Sequence, residues 1–155
     1  MAQAPRRSAG ILLYRRSPDL QVLLAHMGGP FWQRKDAGAW TIPKGEPAEG
    51  EDGLATAERE FAEELGLPVP AGPRIDLGEV RQSGGKIVHI WAVEGELDPE
   101  AMSPGTFEME WPPRSGRRET FPEVDRAAWL SPERAAELIL TAQRDFLTRL
   151  EDVLR

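Results

Sequence analysis

The period of the apolar positions changes several times along the chain, and each change marks an element. Ser8–Arg16 and Leu20–Met27 are short apolar runs on either side of Ser17, Pro18 and Asp19, a turn signal, which predicts two antiparallel strands. Gly28–Trp40 follows neither period and mixes glycine, charge and aromatics, as a surface segment able to touch a ligand does. Ala39–Pro43 predicts a brief strand. From Asp52 the period becomes helical: Leu54, Ala57, Phe61 and Leu65 recur at that spacing, Asp52 is a good N-cap, Gly66 suits the position after the helix and Pro68 prevents its continuation. A helix over Gly53–Leu65 is therefore expected.

Beyond it, Arg74–Gln82 and Lys86–Leu97 read as strands, and Ser83, Gly84 and Gly85 between them give the best hairpin signal in the chain. Gly105–Trp111 is a further strand candidate, ended by Pro112 and Pro113. Pro112–Arg126 reads as a polar, proline-bearing loop holding Arg114, Arg117, Arg118 and Arg126, and Ala127–Leu130 as a last short strand. Ser131 and Pro132 start a helical pattern that runs to Leu154, with a break expected near Thr141. Strands, helix, strands, helix in that order predict a mixed α/β sandwich rather than a regular parallel array, built as a single domain over residues 1–155.

Composition narrows the function. The 155 residues, 40% of them hydrophobic, can bury a core without staples. A net charge of −7 argues against nonspecific binding of nucleic acid or anionic membrane, so an anionic partner needs a cation or a local basic patch. The absence of cysteine excludes disulfides, zinc-thiolate sites and thiol nucleophiles. No apolar stretch near the start suits a signal peptide and no run reaches the roughly 20 apolar residues of a membrane span, so a cytoplasmic, soluble protein is expected.

The candidate chemistry sits on the predicted helix. Gly45–Gly66 holds eight acidic residues against one arginine, and Glu60, Glu63 and Glu64 project from one side of the helix while Phe61 and Leu65 face the core. Like charges at that spacing oppose folding by roughly 0.2–0.5 kcal/mol per pair, and the negative end of the helix dipole adds to this. Arg59 offsets only part of it. Mg²⁺ resolves the conflict, because it takes carboxylate and backbone oxygens and binds together with substrate phosphates. A solvated acidic face is the alternative reading.

The wider pattern is more specific than charge alone. Gly45, five residues, Glu51, seven residues, then Arg59, Glu60, Phe61, Ala62, Glu63, Glu64, Leu65, Gly66 and Leu67 resemble the signature of the Nudix hydrolase family in every constrained position, with Phe61 standing where smaller aliphatics are more usual. The resemblance implies an α/β/α sandwich on a mixed sheet, with this segment as a loop-helix-loop and a C-terminal helix or helices, and cleavage of a pyrophosphate bond in a nucleoside diphosphate linked to another group. It further implies that Glu60, Glu63 and Glu64, with the Gly45 carbonyl, bind the metal, Mg²⁺ or Mn²⁺ in its place. Arg59 would hold the catalytic loop and Glu51 fix loop and helix. Many members add a glutamate ahead of a tryptophan-bearing strand. Glu123, before Trp129, fits that place, with Glu119 as a second candidate and Glu108 and Glu110 expected to face solvent.

Around these, Lys44 is a candidate to reach a substrate phosphate, with an ordinary solvated lysine as the alternative, and Arg114, Arg117 and Arg118 form a basic patch suited to a polyphosphate. Phe31, Trp32 and Trp111 are candidates to stack on a base. Trp40 and Trp91 are expected in the core, and His89 as an ordinary half-buried residue. The run Trp40–Glu46 resembles the stretch before the motif in diadenosine polyphosphate hydrolases, and Gly28–Glu46 a bacterial group named as mutation-preventing triphosphatases. The first similarity favours asymmetric cleavage of a dinucleoside tetraphosphate into ATP and AMP. A nucleoside triphosphate is the alternative, and a nucleotide-sensing module without turnover a third possibility, disfavoured by the complete set of glutamates. The expected ligand is a small nucleotide, with no specific nucleic acid and no membrane, bound by a monomer or homodimer.

Overall fold

The computed structural model describes residues 5–155. Residues 1–4, on which the reading of the N-terminus partly rests, lie outside them. Strands β1 (Arg7–Arg15) and β2 (Gln21–Met27) pair antiparallel, as the turn signal predicts. They join β3 (Trp40–Thr41), β4 (Lys44–Gly45), β5 (Ile75–Arg81), β6 (Ile87–Glu94) and β9 (Val124–Leu130) in one mixed sheet. Its order is β3-β2-β1-β6-β5, with β4 beside β1 and β9 beside β2. Among the strand pairs of the described residues, only the central β1–β6 pair is parallel. Both faces of β1 are covered, which is why its sequence runs from Ala9 to Tyr14 without a polar alternate.

Two apolar layers result. Leu12, Tyr14, Leu24, Val88 and Ile90 pack against Leu138, Phe146 and Leu150 of the C-terminal helices α2 (Pro132–Leu138) and α3 (Arg144–Val153). Their alternates Ile11, Leu13, Leu23, Ala25 and Val93 pack against Ala57, Phe61 and Leu65 of α1 (Gly53–Leu65). The molecule is thus the expected α/β/α sandwich. Helix α1 is fixed at both ends by the predicted residues. The Asp52 carboxylate accepts from the Ala55 amide at 2.8 Å, and Gly66, at φ 70°, donates its N–H to Ala62 O. A side chain at Gly66 would strike the Ser103 carbonyl, 2.0 Å from where its Cβ would stand.

The break in the C-terminal helix falls where expected, at a short turn over Thr141–Gln143. Its cause is specific: buried Gln143 turns its amide oxygen to the Ile42 N–H, 2.9 Å away, and its amide nitrogen to Thr41 Oγ1 at 3.0 Å, which ties the β3–β4 segment to the helical layer.

Pro112–Arg126 is not the loop that its composition predicts. Arg118–Pro122 is a strand, β8, paired antiparallel with β7 (Thr106–Glu110) in a separate two-stranded ribbon. Its residues alternate between exposed and half-buried, and its one apolar cross-strand pair is Phe107 opposite Phe121, so charge masks the period. The last strand likewise begins at Val124, earlier than its apolar end predicts.

Candidate active site

The site is assembled around α1. Arg59 donates Nε to Glu51 Oε2 and Nη2 to Glu51 Oε1, both at 2.9 Å, a bidentate pair. The same guanidinium reaches the Glu46 carbonyl at 3.0 Å, Glu60 at 2.9 Å and Glu63 at 3.1 Å. Glu51 also accepts from the Ala48 amide and the Thr56 hydroxyl. Arg59 first, then these two donors, bring its carboxyl down to about 2, and Glu51 in turn raises Arg59 above its ordinary value. Loop and helix are therefore locked by one charge network. Arg59 takes up more of the like-charge repulsion than the sequence reading allots to it, because both Glu60 and Glu63 turn to it.

The unresolved charge is Glu64. Burial, then the charge of Glu60, push its carboxyl up to about 8, against the opposing Lys44 amide, which donates to it at 3.1 Å. Lys44 is half-buried rather than solvated. Burial first and the charge of Lys86 second push its amine below the usual range, while Glu64, Glu46 and Glu60 pull the other way. Gly45 lies so close to Glu60 that a Cβ would stand 2.1 Å from its carboxyl carbon. Only glycine lets that main chain and carboxylate converge.

Glu123 is brought to the same place by backbone. The last carbonyls of α1, orphaned at its end, accept from the Ser103 and Gly105 amides, Glu63 O at 3.0 Å from the latter. Gly105 O accepts from the Glu123 N–H at 2.8 Å, and Glu123 O from the Gly28 N–H at 3.0 Å. Burial, then the charges of Glu60 and Glu63, raise the Glu123 carboxyl above its usual range. The alternative, Glu119, faces Met109 across the ribbon, and Glu108 and Glu110 are exposed as expected.

Oxygen-only donors, the Gly45 main chain beside a carboxylate, and a half-buried acid repelled by its neighbours fit a hard divalent cation. Among the described residues no group of three acids or histidines already stands in ligating arrangement; Glu60 and Glu63 face Arg59, and must turn to share a cation with Glu64.

The candidates for contact with base and polyphosphate stand on the segment 28–36 and on the β7–β8 ribbon. Phe31, 58% exposed, stands edge-on to Trp111 at 5.4 Å between ring centroids, which links the Gly28–Asp36 loop to the β7–β8 ribbon. Lys35 lies over the Trp32 ring at 5.3 Å. Arg114, Arg117 and Arg118 are exposed at the ribbon's turn, Arg114 at φ 63°, with only long pairs of 4.0 Å from Arg117 to Glu119 and from Arg118 to Glu108. Trp40 is buried, whereas Trp91 is half-buried under a stacked His89 at 3.9 Å. Sequence reasoning missed Lys86 and the fully buried His26, whose partner Asp125 stands 2.8 Å away. Neither has a local signal, since only the folded sheet sets Lys86 beside Lys44 and His26 beside Asp125.

The comparisons agree with this geometry. No curated protein matches the chain. The model of the NUDIX domain matches residues 4–150. Among solved structures, a Caenorhabditis elegans Ap4A hydrolase in binary complex aligns over 95% of this chain and 97% of its own at TM-score 0.69 and 19% identity. The NUDIX domain of Shewanella oneidensis NrtR, complexed with ADP ribose, aligns over 99% and 91% at TM-score 0.69 and 17% identity. A MutT protein from Methanosarcina mazei aligns over 100% and 99% at TM-score 0.62 and 19% identity. A family match over nearly the whole length, on a fold whose acidic helix and the loops at its two ends carry every constrained position, makes this chain a member of the NUDIX family, a hydrolase of pyrophosphate bonds.

Proposed function

We propose that the chain is a Mg²⁺-dependent pyrophosphohydrolase whose substrate is a dinucleoside polyphosphate, cleaved asymmetrically so that diadenosine tetraphosphate gives ATP and AMP. Mn²⁺ substitutes for Mg²⁺. The observation that carries the reading is Glu64, a carboxyl pushed up to about 8 by burial beside Glu60 and within the field of Glu123. Such a group is costly to an empty site and useful to one that binds a cation.

Glu60, Glu63, Glu64 and the Gly45 carbonyl are the residues that would hold the metal, which supplies neutralisation of the diphosphate and an activated water for in-line attack on phosphorus. Glu123 is suited to take that water's proton, since its raised carboxyl is a better base than an ordinary one. Arg59, through Glu51, keeps the loop and helix in register. Lys44 faces the phosphates, and Arg114, Arg117 and Arg118 on the ribbon's turn extend the positive field along a longer chain of them. Trp32 and Trp111 offer faces for a base, worth about 1–3 kcal/mol each by stacking. The likeness of Trp40–Glu46 to diadenosine polyphosphate hydrolases and the fold shared with the C. elegans enzyme support the choice of substrate.

The test is a panel of diadenosine tetraphosphate, nucleoside triphosphates and ADP-ribose incubated with Mg²⁺, with products resolved by chromatography. ATP and AMP in equal amounts are expected from the first, and none from Glu64→Gln. Preference for triphosphates would move the substrate to the alternative class, and binding without products from any of them would overturn the reading.

A further inference from the structure

His26 on β2 is 0% exposed, yet it is polar at both ends. Its Nδ1 stands 2.8 Å from Asp125 Oδ1 and its Nε2 2.6 Å from the Lys35 carbonyl oxygen. A carbonyl can only accept, so Nε2 donates to Lys35, and the Asp125 carboxylate holds the other nitrogen. The ring is steadied edge-on by Trp40 at 5.2 Å, whose own Nε1 donates to Asp36 at 2.8 Å. One buried side chain therefore grips two segments: the end of the loop that carries Trp32, and the start of the strand that follows Glu123.

The grip on the strand falls at a bulge. Across β2 and β9 the register runs Ala25 to Ala127 and His26 to Arg126, then jumps to Met27 opposite Val124, which leaves Asp125 unpaired. Without the extra residue Asp125 would oppose Met27 and enter the apolar layer under α1. As built, Val124 takes that place, 2% exposed, and Asp125 turns to His26. The residue before the bulge pair is Glu123, clamped through its main chain to Gly105 and Gly28. Bulges re-aim a strand next to functional sites at the expense of ladder bonds, and a group as deeply buried as the His26 ring is costly to leave single, so Asp125, itself partly exposed, supplies the partner that the ring needs.

We propose that His26 is a positioning residue of the reaction: through Asp125 it holds the bulge that aims Glu123 at the glutamates of α1, and through the Lys35 carbonyl it holds the loop that carries Trp32. The proposal rests on the role given to Glu123 above. The link through Asp125 acts on turnover. The link through Lys35 acts on substrate affinity.

A double-mutant cycle on the Mg²⁺-loaded enzyme with diadenosine tetraphosphate separates these. Asp125→Ala is expected to lower kcat about tenfold or more in the parent, the scale for lost outer partners of a catalytic group, with little change in KM. In a Glu123→Gln background the same change is expected to move kcat by less than about twofold, because its route is already cut. His26→Gln is expected to lower kcat and raise KM together, and Asp125→Asn, whose side-chain amide can still pair with the ring, to recover most of the loss seen in Asp125→Ala. Equal factors for Asp125→Ala in both backgrounds would overturn the proposal while leaving Glu123 in the reaction; a Glu123→Gln enzyme as fast as the parent would overturn it by removing Glu123 itself. Amide hydrogen exchange gives a readout free of activity. In Asp125→Ala the amides of Gly28 and Glu123 are expected to exchange faster while those of β6 and α3 stay protected, and uniform acceleration would instead make Asp125 a general stabiliser and sink the assignment.

Discussion

Glu64 titrates in the opposite sense from most carboxylates in folded proteins. Its carboxyl is raised from 4.5 to about 8, so below 4.5 it is protonated whether the chain is folded or not, and contributes nothing to pH dependence. Between those values the unfolded chain releases the proton and the folded one keeps it. Stability of the metal-free protein therefore falls as pH rises through this window, by about 1.4 kcal/mol per unit at most, and levels off above about 8. Glu51 works the other way: lowered to about 2, it stabilises above 4.5 and its contribution is lost as acid is added towards 2. Denaturant unfolding of the metal-free Glu64→Gln protein should show a gain over the parent that grows from pH 5 to pH 8, together with at least the roughly 10–100-fold loss of activity that disturbing a metal site brings. A gain independent of pH would contradict the assignment. Residues such as Asp52 and Gly66 were legible because capping is a local property, and the box glutamates because their spacing is fixed along one helix. His26 and Asp125 were not, since 99 positions separate them and only a bulge in β9 turns one towards the other.

Elements differ in how much of themselves they announce. Helix α1 carries period, cap and stop within one short segment, so its bounds could be read to the residue. Strand β7 was legible as an apolar run, but its partner β8 hides, because a strand that buries only one thin face needs few apolar residues and can spend the rest on charge. At this scale two outcomes are expected. Phe61 is fully buried beneath α1, and Phe61→Ala should cost about 3–5 kcal/mol in chemical denaturation, more than its half-buried neighbour Leu54. The second concerns the ribbon's turn, where Arg117 and Arg118 are exposed and only loosely paired. Arg117→Ala and Arg118→Ala should raise KM more for tetraphosphate than for shorter substrates with kcat nearly kept, and equal KM shifts at every chain length would take the ribbon out of the site.

For the molecule as a whole, no helix among the described residues is long and apolar enough to cross a membrane, and acidic residues outnumber basic ones by 26 to 19. An acidic body that handles an acidic substrate depends on its cation, so metal should act as a folding ligand as well as a reactant. Mg²⁺ should raise the melting temperature, and the increment should grow between pH 6 and pH 8, because below about 8 a proton occupies Glu64 and the metal must displace it. Thermal melts at several magnesium concentrations across that range would test this; an increment that shrinks with rising pH would exclude Glu64 from the metal's surroundings.

The hydrogen bonds that join the end of α1 to Gly105 and Gly105 to Glu123 are made by peptide groups alone. Peptide groups are common to all residues but proline's missing donor, so the distance between helix and outlying acid is written in a material that mutation scarcely alters. A lineage that keeps the tight glycines, Gly66 and Gly105, can replace other side chains along that span and still inherit the same interval, provided the number of links in the chain is kept.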